Sequence, residues 1–198
     1  MAIESISQLE KLDYRKQLVF AYLTCERLYP NYAYFSNNFH FGDKQILRAA
    51  IDFIANAVLT PNFSDEEKIK SFLFEIDINT PFPHNFDTIL ASSALDACSA
   101  ILETLNFILD KKASRLNDIS SFATDTVDMY VHDRDNLDFN TDPQFEQKIL
   151  NDPLMQKELN TQKGIIDYLT KINDIGVIDI NYLLDLQYNS NEGNIDLS

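Results

Sequence analysis

A chain of 198 residues with 45% apolar side chains carries enough material for one hydrophobic core and is short for two. Its formal net charge of −15 repels phosphate backbones and anionic lipid, which argues against nucleic-acid and membrane-surface partners. Four glycines are too few for the tight turns of a strand-rich fold or for a phosphate-cradling loop, so the expectation is a single all-α domain.

The charge is uneven. Residues 1–116 hold 15 acids and 11 bases, whereas residues 117–198 hold 16 acids and 5 bases. The second half could therefore attract a basic protein. The start, MAIESISQLE, places acids early and has no apolar h-region, so no signal peptide is expected. No run approaches the ~18 apolar residues of a membrane span. Cys25 and Cys98 lie in apolar stretches without a CxxC spacing. They are expected to be buried, reduced thiols of a cytoplasmic protein.

In chain order, a short helix over 5–12 comes first, and Asp13 then caps a second that ends near Tyr29. The stretch from Leu18 to Cys25 is apolar nearly all round, which suits a helix surrounded by others. Pro30 fits the first turn of a separate helix over 31–39. After Gly42, Asp43 caps a helix on which Ile46, Leu47, Ala50, Ile51, Ile54 and Val58 recur at helical spacing. Ser64 and Glu67 form a capping box for the next helix, which runs through Phe72 and Ile76. The stretch 80–85, TPFPHN, breaks the chain.

A long helix over 87–110 carries the stripe Leu90, Ala94, Leu95, Cys98, Ile101, Leu102, Leu105 and Ile108. Another over 116–132 turns Ile119, Phe122, Ala123, Thr126, Val127 and Tyr130 inward. An acidic loop over 133–142 follows. Asp142-Pro143 and Asp152-Pro153 each place a capping acid before a first-turn proline and start two consecutive helices. The second reaches Asn173, and its interior Gly164 marks a close helix crossing. A last helix over 178–186 precedes the tail NSNEGN, expected to fray from residue 188 onward. With eight or nine helices and no strand of significance, helix-on-helix packing in a bundle is the way to bury these stripes.

Little in this pattern carries chemistry. Di-iron bundles need Glu-x-x-His motifs, but the residues three before His40, His84 and His132 are Asn37, Pro81 and Met129. No HExxH, zinc-ligand spacing or EF-hand loop occurs. Asp128, His132, Asp133 and Asp135 could hold at most a loose divalent ion. A Cys/His hydrolase would have to join His40 to Cys25 or Cys98, thiols whose apolar settings suit inert packing. No catalytic residue, cofactor or metal is therefore assigned, and the leaning is towards a protein that is not an enzyme.

The segment CERLYPNYAYFSNNFHFGD, 25–43, stands out. It gathers Tyr29, Tyr32, Tyr34, Phe35, Phe39 and Phe41. Glu26 and Arg27 close its apolar lead-in, and a charge desolvated there needs a partner. Asp96, inside SSALDACSAIL, poses the same problem, so Arg27 or Arg48 is expected to meet it. The candidate patch is Glu26, Arg27, Tyr29, Asn31, Tyr32, Asp43 and Asp96. It reads either as a polar network within the core or as a site. Tyrosine and arginine are typical interface anchors, which favours a protein-binding or assembly module, for instance a homodimer. The alternatives are a small-ligand binder or enzyme, and an acidic partner of a basic protein. The ligand pocket would be lined by Tyr22, Glu26, Tyr29, Asn31 and Asp43, with Arg27 as anion anchor.

The same residues carry a resemblance. Cys-Glu-Arg-Leu-Tyr-Pro-Asn-Tyr from Cys25 to Tyr32, then Phe41-Gly42-Asp43 with Gln45-Ile46, resemble the signature of the YjaG-like bacterial family of unknown function. Ala94-Leu95-Asp96-Ala97-Cys98 and the Glu-Gly-Asn-Ile tail are also similar. The resemblance implies a compact all-helical cytoplasmic bacterial protein and no particular activity. The chain departs from the pattern mainly after Asn117, so the resemblance does not extend a shared role to the acidic half.

Overall fold

Hydrophobic stripes at helical spacing dictate the architecture. A computed structural model describes residues 6–60, 63, 65–187 and 193–197. Among them the chain forms nine α-helices and no strand. They are α1 (Ile6–Leu9), α2 (Tyr14–Phe39), α3 (Lys44–Leu59), α4 (Glu66–Ile78), α5 (Leu90–Asp110), α6 (Arg115–Arg134), α7 (Phe145–Asn151), α8 (Pro153–Lys171) and α9 (Val177–Gln187). A 3-10 turn, Pro83–Asn85, sits within the predicted TPFPHN break.

The central helix is α2, which packs on α3, α5, α6, α8 and α9. Every residue from Lys16 to Leu28 is buried, as an all-round apolar helix requires. The principal core draws Leu116, Ile119, Ala123, Ile165, Ile166 and Leu183 into the same cluster as Leu18, Phe20, Leu47 and Ile101. The chain on both sides of residue 117 thus shares one interior. A smaller cluster joins Val127 and Val131 of α6 to Ile149, Met155 and Ile195.

Aspartate side chains cap four of the nine helices among the described residues. Asp13, Asp43 and Asp152 accept from the backbone N–H of Lys16, Gln45 and Leu154, each worth about 1 kcal/mol. The α4 cap is Asp65, which accepts from Lys68 N. The predicted Ser64 capping box lies outside the described residues. Asp142 accepts from Gln144 N instead of opening a helix at Pro143, and α7 begins only at Phe145. There the aspartate makes a turn before the helix.

Pro30 starts no new helix. It lies inside the 26 residues of α2, at a cost of about 3 kcal/mol for an interior proline. The turns beyond it bury Asn31, Tyr32, Phe35 and Ser36. Fully burying two large rings contributes about 1.5–3 kcal/mol each, enough to carry the helix through.

Gly164 marks no close crossing, since a Cβ there would meet nothing within 4 Å. Gly164→Ala is therefore expected to stabilise the protein by about 0.5–1 kcal/mol, measured by urea denaturation. A loss of stability would show that the space around it is not free.

The tail also departs from expectation. Residues 188–192 lie outside the described part, but 193–197 do not fray. Asn194 is buried against polar groups of α2, α6 and α8, and Ile195 is buried in the smaller apolar cluster.

Candidate functional site

On a helix, residues four apart share a face, whereas neighbours in sequence diverge by about 100°. The Cys25–Asp43 segment is mostly helix, so its polar residues point to three different places.

The first face carries Tyr22, Glu26 and Tyr29 towards α3. The Arg48 guanidinium grips Glu26 with two bonds of 2.7 and 2.8 Å, donates to Asp52 at 2.9 Å, and lies 5.2 Å from the Tyr29 ring centre. Tyr22 also hydrogen-bonds Glu26, and burial with this carboxylate raises the phenol well above its usual range.

The second face carries Arg27 and Asn31 towards α8 and the tail. Arg27 Nε and Nη2 each donate to the Glu158 carboxylate at 2.9 Å, and Nη1 bonds Gln187. Both partners are nearly inaccessible, with side-chain exposures of 7% and 1%. Gln162 Nε2 donates to Glu158 at 2.8 Å, and Gln162 in turn accepts from Ser120 Oγ at 2.6 Å. Asn194 enters from the tail, donating to Ala123 O at 2.7 Å and accepting from Asn31 Nδ2 at 2.9 Å. A Cβ at Gly193 would lie 1.9 Å from Asn31 Oδ1, so only glycine lets the tail backbone pass this close. The space beside Arg27 and Asn194 is about 20 Å³, room for about one water molecule. That is no anion site, because Arg27 is already neutralised by Glu158.

The third face carries Tyr32 and Phe35 into the join of α2, α3 and α4. Tyr32 Oη donates to Asn79 O at 2.8 Å, and Asp43 N donates to Asn79 Oδ1 at 2.8 Å. Gly42 has φ +64, and a Cβ there would lie 2.2 Å from Tyr32 Oη. The Phe-Gly-Asp run is thus a tight link laid over a buried hydroxyl. Phe35 stacks on Phe39 at 5.0 Å and meets Phe86 edge-on at 4.9 Å.

Asp96 belongs to none of these. The predicted pairing with Arg27 or Arg48 does not form, because those guanidiniums are engaged by Glu158 and Glu26. Asp96 Oδ2 lies 2.8 Å from Thr126 Oγ1 on α6. Burial, with Asp125 nearby, pushes its carboxyl up to about 7. The seven candidate residues therefore form separate tie points and not one patch. Tyr32 and Phe35 are fully buried, while Tyr29 and Tyr34 are half-buried, so the expected aromatic interface is mostly internal packing.

Nucleophile chemistry finds no support in the cysteines. Cys25 and Cys98 are buried and free, and burial pushes both thiols up to about 12. Cys25 Sγ lies 3.3 Å from Thr104 Oγ1, while His40 ends α2 in a left-handed, exposed position. Among the described residues no group of three or more His, Cys, Asp or Glu side chains is placed to hold a metal ion. No helix among them is long and apolar enough to cross a membrane.

Two surface features were not legible as sites in the sequence. One is the outer face of α9, where Ile178, Tyr182 and Leu186 are 84%, 50% and 49% exposed. The other is a cleft of about 310 Å³ between α6, α7 and α8, lined in part by Asp125, Asp128, Glu146, Ile149, Met155 and Leu159.

Residues 4–198 match the family described as "Protein of unknown function (DUF416)". Uncharacterized protein YjaG of Escherichia coli (strain K12) is 32% identical over 99 residues, and that of Salmonella typhimurium is 31% identical over the same length. The matched stretch is 50% of this chain and 50% of each relative, so the chain spans about half the length of the curated relatives it matches. The fold is similar to the crystal structure of a DUF416 family protein from Shewanella baltica OS155, with a TM-score of 0.86. That likeness covers 96% of this chain and 95% of the other, at 24% sequence identity.

Proposed function

We propose that this chain, which belongs to the DUF416 family of proteins of unknown function, is a cytoplasmic protein-binding module that self-associates through the outer face of α9. One observation carries the reading. Ile178, Tyr182 and Leu186 recur every four residues and form an apolar stripe directed at solvent, while Ile180 and Leu183 hold the opposite side of α9 in the core. A short helix that turns three large apolar side chains to solvent has unburied surface to contribute to an interface. Placed against its own copy about a two-fold axis, the stripe is self-complementary. The free thiols of Cys25 and Cys98 suit a reducing compartment.

Charge supplies the discriminating test. Two protomers of net charge −15 repel each other, so apolar self-association strengthens as salt screens that repulsion. Binding of a basic protein would weaken instead. Sedimentation velocity between about 0.05 and 0.5 M salt is expected to show a dimer fraction that rises with salt and disappears in Ile178→Asp. Monomer at every concentration and salt, or a dimer indifferent to Ile178→Asp, would remove this reading.

A further inference from the structure

Residues 193–197 lie on the body of the protein as a bound peptide would. Three consecutive residues fit three different features. Gly193 passes against Asn31, where a Cβ would lie 1.9 Å from Oδ1. Asn194 accepts from Asn31 Nδ2 at 2.9 Å and donates to Ala123 O at 2.7 Å, with Glu158 at 3.4 Å. Ile195 is buried with Ile149 and Met155, the apolar floor of the α6–α7–α8 cleft, and Leu197 packs against the same cluster. Of these hydrogen-bonding partners of Asn194, the nearest in sequence is 36 positions away. The slot is thus built by α2, α6, α7 and α8, and it fits the same sequence whichever chain supplies it.

Two further observations mark the segment as separable. Ile195 belongs to the smaller apolar cluster, and the principal core contains no residue of the stretch. Withdrawing the segment therefore leaves the packing of α2, α3 and α5 in place. Beside it, Asn31 Oδ1 and Gln187 Nε2 are buried without a hydrogen-bond partner among the described residues. Gln187 shares a space of about 20 Å³ with Gly193 and Asn194. Both groups gain water when the segment lifts, which lowers the cost of opening.

We propose that this segment exchanges between copies: residues 193–197 of one protomer fill the slot of a second, whose own segment returns the contact. The bonds of Asn194 and the burial of Ile195 are then remade across the two chains, so exchange sacrifices neither. A tethered segment meets its own slot at an effective concentration in the millimolar range, so a second copy at about 1 mM competes with it on similar terms. The slot uses no residue of the α9 stripe, so either reading can fail alone.

The test mixes equal amounts of whole chain with labelled isoleucine methyls and whole chain with labelled methionine methyls. The batches are refolded together from urea and concentrated to about 1 mM. A nuclear Overhauser contact between Ile195 of one batch and Met155 of the other is expected. Both side chains are buried, so they meet across batches only by exchange, and association through the α9 stripe alone gives no such contact. An excess of the free peptide Glu-Gly-Asn-Ile-Asp-Leu-Ser should abolish it, whereas the same peptide with Asn194→Ala and Ile195→Asp should leave it intact. Gly193→Ala in both batches should remove it. Absence of the contact in the unmutated chain overturns the proposal. So does a contact that survives the free peptide or Gly193→Ala, or one lost equally to the altered peptide. The central measurement needs no substitution, so a variant that fails to fold does not protect the idea.

Discussion

Arg27→Ala is expected to lower the unfolding free energy by about 3–5 kcal/mol, the cost of leaving a buried carboxylate without its cation. For a chain of this size that is a fall in Tm of roughly 10 °C. The magnitude follows from where Glu158 sits. Its side chain is 1% exposed, and of its bonding partners among the described residues, Arg27, Gln162 and Asn194, Arg27 alone carries a positive charge. Neither amide can neutralise the charge left behind. Replacing both ends, Arg27→Met with Glu158→Leu, is expected to recover most of the loss, because an apolar pair of similar volume needs no compensation. Urea denaturation at neutral pH measures both variants. A loss below about 1 kcal/mol in Arg27→Ala would mean that water reaches Glu158, and the network would then be no part of the interior.

That network joins residues widely separated in the sequence. Arg27 and Asn31 come from the middle of α2, Glu158 and Gln162 from α8, and Gly193 and Asn194 from the tail. Asn194 alone bonds Asn31, Ala123 O and Glu158, so one side chain ties α2, α6 and α8. Ile195 beside it packs with Ile149 and Met155, two residues of the cleft floor. The C-terminal stretch is therefore a structural strap under the α6–α7–α8 cleft, and the polar core fixes where that floor lies.

The apolar stripes made the fold legible. Their period marks the helices, and Asp13, Asp43 and Asp152 mark three of the starts, because both signals are local. Pro30 misled because a proline's preference for a first turn is local as well, whereas the burial of Tyr32 and Phe35 that overrides it is tertiary. The tail misleads in the same way, since NSNEGN has no apolar stripe, whereas Asn194 fills a slot made by three distant helices. Six of the seven candidate residues lie between Glu26 and Asp43, and closeness in sequence suggests one place. Consecutive positions on a helix diverge, so Glu26 and Arg27 reach opposite neighbours, Arg48 and Glu158. The need of each charge for a partner was readable; which partner it finds was not, because that depends on the crossing of α2 with α3 and α8. The cleft and the α9 stripe left only weak traces. Acids at 125, 128 and 146 look like ordinary solvated residues until the helices bring them around a shared hollow.

Asp96 gives the largest pH effect. Its carboxyl sits at about 7 in the folded protein against about 3.9 in an unfolded chain. Between these values the native state holds a proton that the unfolded state has lost, so stability falls as pH rises. The contribution is fully present below about pH 4 and is gone above about pH 7, a change of about 2–4 kcal/mol. Geometry favours the neutral form. Thr126 Oγ1 lies 2.8 Å from Asp96 Oδ2 and 2.9 Å from Phe122 O, and its single proton can serve only one of them. A protonated Asp96 can donate to Thr126 while Thr126 donates to Phe122, and every group is satisfied. Asp96→Asn supplies a permanently neutral donor and acceptor in the same place. The variant should therefore be the more stable protein at pH 8, by about 2–4 kcal/mol, with the advantage shrinking towards zero near pH 4. Urea denaturation of both proteins at several pH values across that window checks it. A constant difference between them would show that Asp96 keeps its ordinary acidity, and that water, not Thr126, is its principal partner.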